Sequence, residues 1–263
     1  MTSYRVPTYG DELAEVYDLI FNCERKNYDG EAAEVVRQVR ARFPGAKSLL
    51  DVGCGTGTHL ERFRAAFDRV EGVEPAPPMR RVAQRKLPSV PIHAADMRRF
   101  RLGRSFDAVC CMHGPIGYMA DEAQLRGAVR RMAEHLVPGG VLVLDPWWFP
   151  ETFIDGYLMA EAVRDDRRSV ARVSHSVRTG ESSMCITAKY LVGDAAGIRE
   201  FTATDVLSLF RKDQYAGALA AAGLRTEYVP GPATPRGLFV GVRPEARCPA
   251  ANELDLVGVD TIY

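Results

Sequence analysis

Lysine is scarce in this chain. Of 34 basic residues only 5 are lysine and 29 are arginine, and 34 acids balance them, so the formal net charge of the 263 residues is zero. A surface with no excess of either sign has no field to gather a polyanion, which excludes a nucleic acid bound over a broad face. The arginine preference reads as the mark of a GC-rich coding sequence. No apolar run nears the ~18 residues of a membrane span, and Met1 to Gly10 lacks a basic stretch followed by an apolar core. The expectation is a soluble, cytoplasmic protein with no membrane partner. Six cysteines are scattered without a C-x-x-C pair. Cys110 and Cys111 are neighbours in a strand-like run, where successive side chains face opposite ways and cannot share a metal. They read as core thiols of a reducing compartment, and no metal site is expected. Internal repeats and low-complexity segments are also absent.

The apolar periodicity is that of alternating strands and helices. Leu13, Val16, Tyr17 and Ile20, then Ala32, Val35, Val36, Val39 and Phe43, predict two amphipathic helices before Pro44 and Gly45. Strands follow at Ser48 to Val52, Val70 to Glu74, Pro91 to His93, Phe106 to Met112 and Val141 to Asp145. Helices separate them, the last carrying Leu125, Ala128, Val129, Met132 and Leu136 and closed by Pro138, Gly139 and Gly140. Such alternation gives an α/β fold with a parallel sheet. From about 157 to 209 the period becomes two. Ala171, Val173, His175 and Val177 alternate with polar residues, and so do Met184, Ile186, Ala188, Tyr190 and Val192, predicting an inserted antiparallel β segment with His175 on the apolar face. A helix through Tyr215, Ala218, Leu219 and Ala222 and a last strand Gly237 to Val242 complete the chain. The division is an N-terminal helical arm at 1–46, a binding core at 47–150, the insertion at 151–209, a core completion at 210–243 and a tail at 244–263.

Asp51-Val52-Gly53-Cys54-Gly55-Thr56-Gly57 lies between a strand and a helix, where glycine lets backbone amides approach a ligand. Thr58 stands where the dinucleotide fingerprint needs its third glycine. Asp51 would repel a pyrophosphate but can order the amino end of an amino-acid ligand. Glu74, 17 residues after Gly57, is placed to accept from both ribose hydroxyls. Asp96 is placed to accept from an adenine amino group, with Met97 against the ring. Three acids at three strand ends describe an adenosine carrying an amino-acid tail.

The run at 51–57 resembles, residue for residue, the first motif of class I S-adenosylmethionine-dependent methyltransferases, and this implies a Rossmann-like fold. The resemblance extends from 9 to 243. Tyr9-Gly10-x-Glu12-Leu13-Ala14-Glu15-x-Tyr17-Asp18-Leu19, Asp96-Met97-Arg98-x-Phe100, Pro146-Trp147-Trp148-Phe149-Pro150-Glu151, Arg172-Val173-Ser174-His175-Ser176 and Arg236-Gly237-Leu238-Phe239 are similar to N,N-dimethyltransferases of dTDP-amino sugars of the desosamine and mycaminose type. What this implies is S-adenosyl-L-methionine as cofactor and the amino group of a dTDP-linked deoxy-amino sugar as acceptor, in antibiotic biosynthesis. The implied cofactor set is Tyr17 and Tyr28, closing from the arm, with Asp51, Gly53, Cys54, Gly55, Gly57, Glu74, Met79, Asp96, Met97 and Met112. Tyr9 and Tyr118 match positions around the sugar amine, and a homodimer is admitted.

Read from the residues alone, the acceptor side stays open. Trp147 and Trp148 suit either core packing or a wall that stacks a thymine-like base. Arg236 suits a surface charge or paired hydrogen bonds to a diphosphate, and Arg178 is a second candidate. His113 and His175 are the other titratable candidates, His113 for the catalytic set. Direct displacement on a sulfonium asks mainly for position, with little general-base help. His113-Gly114-Pro115-Ile116 replaces the family's serine-rich stretch. The alternatives kept are therefore a sugar O-methyltransferase, an N-methyltransferase of a finished glycoside or peptide antibiotic, and a non-enzymatic binding protein.

Overall fold

The computed structural model describes residues 9–22, 26–231 and 234–245. Two helices, α1 (Asp11–Phe21) and α2 (Tyr28–Arg42), precede the first strand. The core then alternates β1 (Ser48–Val52), α3 (Thr58–Phe63), β2 (Arg69–Val73), α4 (Pro77–Lys86), β3 (Ile92–His93), β4 (Phe106–Cys111), a 3₁₀ turn (Pro115–Tyr118), α5 (Glu122–Glu134) and β5 (Leu136–Leu144). Four long strands follow, β6 (Tyr157–Arg164), β7 (Arg168–Gly180), β8 (Ser183–Asp194) and β9 (Gly197–Ser208), and α6 (Lys212–Ala221), β10 (Arg225–Val229) and β11 (Leu238–Val242) return to the core.

The seven-stranded sheet runs β10-β11-β5-β4-β1-β2-β3. Its strands are parallel except β11, antiparallel to both neighbours. Val52, Val109, Cys111 and Leu144 pack on one face with α5 and α6, and Leu49, Ala108, Cys110 and Val143 on the other with α2 and α3. Cys110 and Cys111 thus enter opposite cores, both fully buried, as their strand parity required.

Two sequence expectations are corrected here. The helix expected to run through Leu136 ends at Glu134. His135 caps it, its Nδ1 2.8 Å from the Arg131 carbonyl, and Leu136 already pairs with Phe106. Gly139, at φ 79°, and Gly140 sit inside β5, where the β4–β5 register shifts; glycine marks a bulge here, not a helix stop. β10 was not expected, because Arg225–Val229 is short and only half-buried.

β6-β7-β8-β9 form a second, antiparallel sheet, within the span expected for the insertion. Helix α1 lies between the two sheets. Leu13, Val16 and Ile20 pack on Val170, Ala188, Tyr190 and Val192, while Ala14 meets Ala76 and Met79 of the core. Each of those large apolar side chains contributes ~1.5–3 kcal/mol on burial. The ion pairs of Glu15 with Arg168 and Arg199 at 2.7 and 2.9 Å lie in partial contact with water and add under ~1 kcal/mol apiece. Apolar packing therefore holds the arm.

The second sheet reverses the face assigned to His175. Val170, Arg172 and Ser174 are buried and turned inward, whereas Val173 is 57% exposed and His175 is exposed. The inward face is polar because it walls a cavity, so alternation alone gave the face the wrong sense.

Candidate functional site

A cavity of about 550 Å3 opens between the carboxyl ends of the parallel strands, helix α1 and the inner face of the second sheet, a volume within the usual range for small-molecule sites. The turn after β1 forms one end. Gly53, Gly55 and Gly57 have φ of 79°, 56° and 79°, and a Cβ on Gly53 would stand 2.8 Å from Pro115 Cγ. Glycine is required there on both counts.

Gly53, Cys54, Gly55, Glu74, Met79, Asp96, Met97 and Met112 all line the cavity, with Tyr17 and Tyr28 from the arm. The arm is tied to the loop where Thr56 Oγ1 donates to Asp18 at 2.5 Å and Lys86 pairs with the same carboxylate at 2.6 Å. Glu74 accepts from the Gly55 and Ala76 amides at 3.0 and 2.8 Å, which fixes its orientation. Burial nevertheless raises its pKa to about 7. Burial also works to raise Asp96, but hydrogen bonds from the Arg98 side chain and amide outweigh it and hold this carboxyl below its usual range. Asp51 and Gly57 are not on the wall. Asp51 belongs to β1, 1% exposed beneath the loop, with Oδ2 unpartnered and the Cys110 thiol 3.5 Å from Oδ1; burial lifts its pKa to about 6. Gly57 instead faces Leu87 and Ala83, where it lets α3 pack.

These residues fit S-adenosyl-L-methionine. An oriented acid stands at the end of β2, a second stands after β3 beside Met97, the glycine turn leaves open space, and an orphaned buried carboxylate oxygen lies under the loop, suited to a cationic ligand above it.

The opposite half of the cavity joins all three parts of the chain. Tyr9 Oη of the arm lies 2.8 Å from Tyr118 Oη of the 3₁₀ turn, and Tyr118 donates to Asp205 of β9 at 3.0 Å. Burial raises both phenol pKa values, so neither ionises near neutrality. Trp147 and Trp148 line this half too. The Arg236 guanidinium lies 5.5 and 5.3 Å from their ring centres. Its Nη2 meets both oxygens of fully buried Asp145 at 3.1 and 2.9 Å, and its Nε donates to the Pro146 carbonyl at 2.6 Å. Two of the donors expected to hold a diphosphate, Nε and Nη2, are therefore already used inside the protein. The guanidinium so held braces the two indoles.

His113 lines the cavity with its ring against Phe21 and Tyr28. Burial, then the charges of Lys26, Arg236 and His59, push its pKa well below the usual histidine value, so the ring stays neutral and weakly basic. Among the described residues no hydrogen bond joins it to Tyr9 or Tyr118. His175 and Arg178 lie off the wall: His175 points outward, and Arg178 donates to the Glu181 and Pro150 carbonyls at 3.1 and 2.9 Å.

The sequence reading missed Arg172, Ser174, Ser176, Tyr190 and Asp205, all on the wall. The signal was present in β7, where Arg172, Ser174 and Ser176 recur with period two. Such a polar stripe marks an inward face only where a strand covers a wet cavity, and the cavity is not visible in one strand.

The family model described as "Methyltransferase domain" matches residues 49–140. A dTDP-4-amino-2,3,4,6-tetradeoxy-D-glucose N,N-dimethyltransferase of Saccharopolyspora spinosa is 48% identical over 89% of this chain and 94% of its own length. A dTDP-3-amino-3,4,6-trideoxy-alpha-D-glucopyranose N,N-dimethyltransferase of Streptomyces venezuelae is 47% identical over 89% and 99%. The S-adenosylmethionine-bound structure of an amino pentose methyltransferase from Micromonospora echinaspora superposes with a TM-score of 0.79 at 50% identity, over 87% of this chain and 96% of that one.

Glu74 yields a prediction. A pKa of about 7 in the free protein means that part of the population carries the proton at neutral pH, whereas ribose hydroxyls donate best to the carboxylate. Binding should lower the pKa and release a proton. Affinity for S-adenosylhomocysteine should therefore rise as pH increases through about 7. Titration calorimetry at pH 7 in two buffers of different ionisation enthalpy should show fractional proton release that Glu74→Gln abolishes. Equal heats in both buffers would contradict it.

Proposed function

The chain belongs to the dTDP-amino-sugar N,N-dimethyltransferases, and from that premise we propose that it transfers methyl groups from S-adenosyl-L-methionine to the amino group of a dTDP-linked deoxy-amino sugar in antibiotic biosynthesis. One observation carries this reading: the adenosine-type acids Glu74 and Asp96 and the Tyr9–Tyr118 pair open on the same cavity. A donor held at one end and an amine at the other would share a single space.

Glu74 would hold the ribose, and Asp96 and Met97 the adenine. Tyr17 and Tyr28 would close over the donor. The bound donor supplies an already activated methyl on sulfur. The protein is left with positioning, worth up to ~7–11 kcal/mol where two reactants are held in line. Tyr118 can accept a hydrogen bond from the amine and so aim its lone pair; its match to the family's amine position supports that role. The indoles braced by Arg236 offer aromatic wall for the base of the nucleotide. Arg172, 8% exposed and facing inward, is a second guanidinium on the wall, held within the second sheet by Tyr190 and Glu161.

Among the described residues no helix is long and apolar enough to cross a membrane; the cytoplasm is the compartment we propose, because the proposed acceptor is a small nucleotide sugar. The homodimer is supported by the outer face of the second sheet. Leu158, Val173, Leu191 and Val206 there are each at least half exposed. Equilibrium sedimentation should return twice the chain mass, and Val173→Asp with Leu191→Asp should return one; a monomeric parent would contradict the dimer.

Purified chain mixed with donor and a panel of dTDP-amino sugars should give products one or two methyl groups heavier by mass spectrometry, and no transfer to any of them would overturn the reading. Tyr118→Phe should lower kcat at least about tenfold while leaving S-adenosylhomocysteine affinity within about twofold. An unchanged kcat would remove Tyr118 from the site.

A further inference from the structure

An aliphatic ammonium titrates near ~8–10 and has no lone pair until it loses a proton. An acceptor arriving at neutral pH must therefore shed one. The buried phenols Tyr9 and Tyr118 are too weak as acids to exist as bases here, and His113 is pushed too low to hold the proton. Glu74 stands at the adenosine end, bound to two loop amides. Among the described residues of the wall, one carboxylate remains at the amine end, Asp205.

Asp205 is on the inner face of β9, opposite Ile186 of β8, and forms part of the cavity wall. Oδ1 accepts the Tyr118 phenol at 3.0 Å, while Oδ2 accepts no hydrogen bond among the described residues. Tyr118 has one proton, and an ionised carboxylate only accepts. With that proton directed at Asp205, the Tyr118 oxygen can only accept, from Tyr9 at 2.8 Å and from a third donor in the cavity. The order of the chain is Tyr9 to Tyr118 to Asp205. Around it stand Arg172 of β7, bonded to Tyr190 of β8 at 3.2 Å and paired with Glu161 of β6 at 3.1 Å. Burial raises the Asp205 pKa, against the Tyr118 hydrogen bond and the Arg172 charge.

Resting on the acceptor reading above, we propose that Asp205 takes up, through Tyr118, the proton that the acceptor's ammonium sheds before its nitrogen is methylated. The ammonium proton passes to Tyr118 Oη as the phenolic proton passes to Asp205 Oδ1. The amine and Tyr118 end neutral, and Asp205 ends as the carboxylic acid. The amine lone pair then forms the N–C bond as the S–C bond of the sulfonium breaks, its electron pair staying on sulfur. Asp205 loses its proton to solvent before the next transfer. Asp205 thereby positions and discharges Tyr118, which meets the substrate.

The test is the pH dependence of methyl transfer from pH 6 to 9 for the parent chain, Asp205→Asn and Tyr118→Phe. Asparagine keeps the size and the hydrogen bond but cannot take a proton. At pH 7 its kcat should fall at least about tenfold, with KM for the nucleotide sugar and affinity for S-adenosylhomocysteine within about twofold. The deficit should shrink toward pH 9, where solvent removes the amine's proton instead. Tyr118→Phe should show the same shrinking deficit and stands in should the Asn variant not fold. The double variant should lose no more than Tyr118→Phe alone. A kcat within twofold of the parent, a deficit constant across the pH range, or additive losses would each overturn the proposal. A parent chain that methylates no amino sugar overturns the acceptor reading instead.

Discussion

The hydrogen-bonded contact of Tyr9, Tyr118 and Asp205 joins three segments that are far apart in sequence: the arm, the parallel-sheet core and the second sheet. The cavity exists because these parts meet without filling the space between them. Its other seam is α1, whose apolar side chains serve the second sheet on one side and α4 on the other. A close-packed protein tolerates a cavity of this size only where its walls are braced, and the bracing is polar at each end. Asp18 ties the arm to Thr56 of the glycine turn, and the Asp145–Arg236 pair holds the two indoles. Removing one member of that buried pair would leave an uncompensated charge, at a cost of ~3–5 kcal/mol.

The electrostatics divide the cavity by function. At the donor end burial raises the Asp51 carboxyl beneath the loop to about 6 and the Glu74 carboxyl on the wall to about 7. Among the described residues the acceptor end holds neutral phenols, a neutral imidazole, the Asp205 carboxylate and the Arg172 guanidinium paired with Glu161. Arg236 is not a free cation there, because Asp145 already neutralises it.

Much of the donor half was legible from sequence because local rules dictate it. The turn at 53–57 needs glycine for its positive φ, and the strand ends at Glu74 and Asp96 follow from the β-α rhythm. The same rules placed Cys110 and Cys111 in opposite cores. The acceptor half was legible only in part. Tyr9 and Tyr118 reach the cavity as the family resemblance implied, and Trp147 and Trp148 take the wall, one of the two places their residue type left open, but Asp205, Arg172, Ser174 and Ser176 did not stand out, and His175 was turned the wrong way. Alternation fixes which residues share a face and leaves open which face points inward; that choice belongs to the packing of α1 against the second sheet. The partners of Arg236 were hidden for a related reason, since Asp145 lies 91 positions away.

The most direct measurement is a crystal structure with S-adenosylhomocysteine and a dTDP-amino sugar bound together. The account predicts both ligands in the one cavity, with the ribose on Glu74 and the sugar amine ~3 Å from Tyr118 Oη, facing the sulfur. An amine held against His113, or beyond hydrogen-bonding reach of Tyr118, would contradict it.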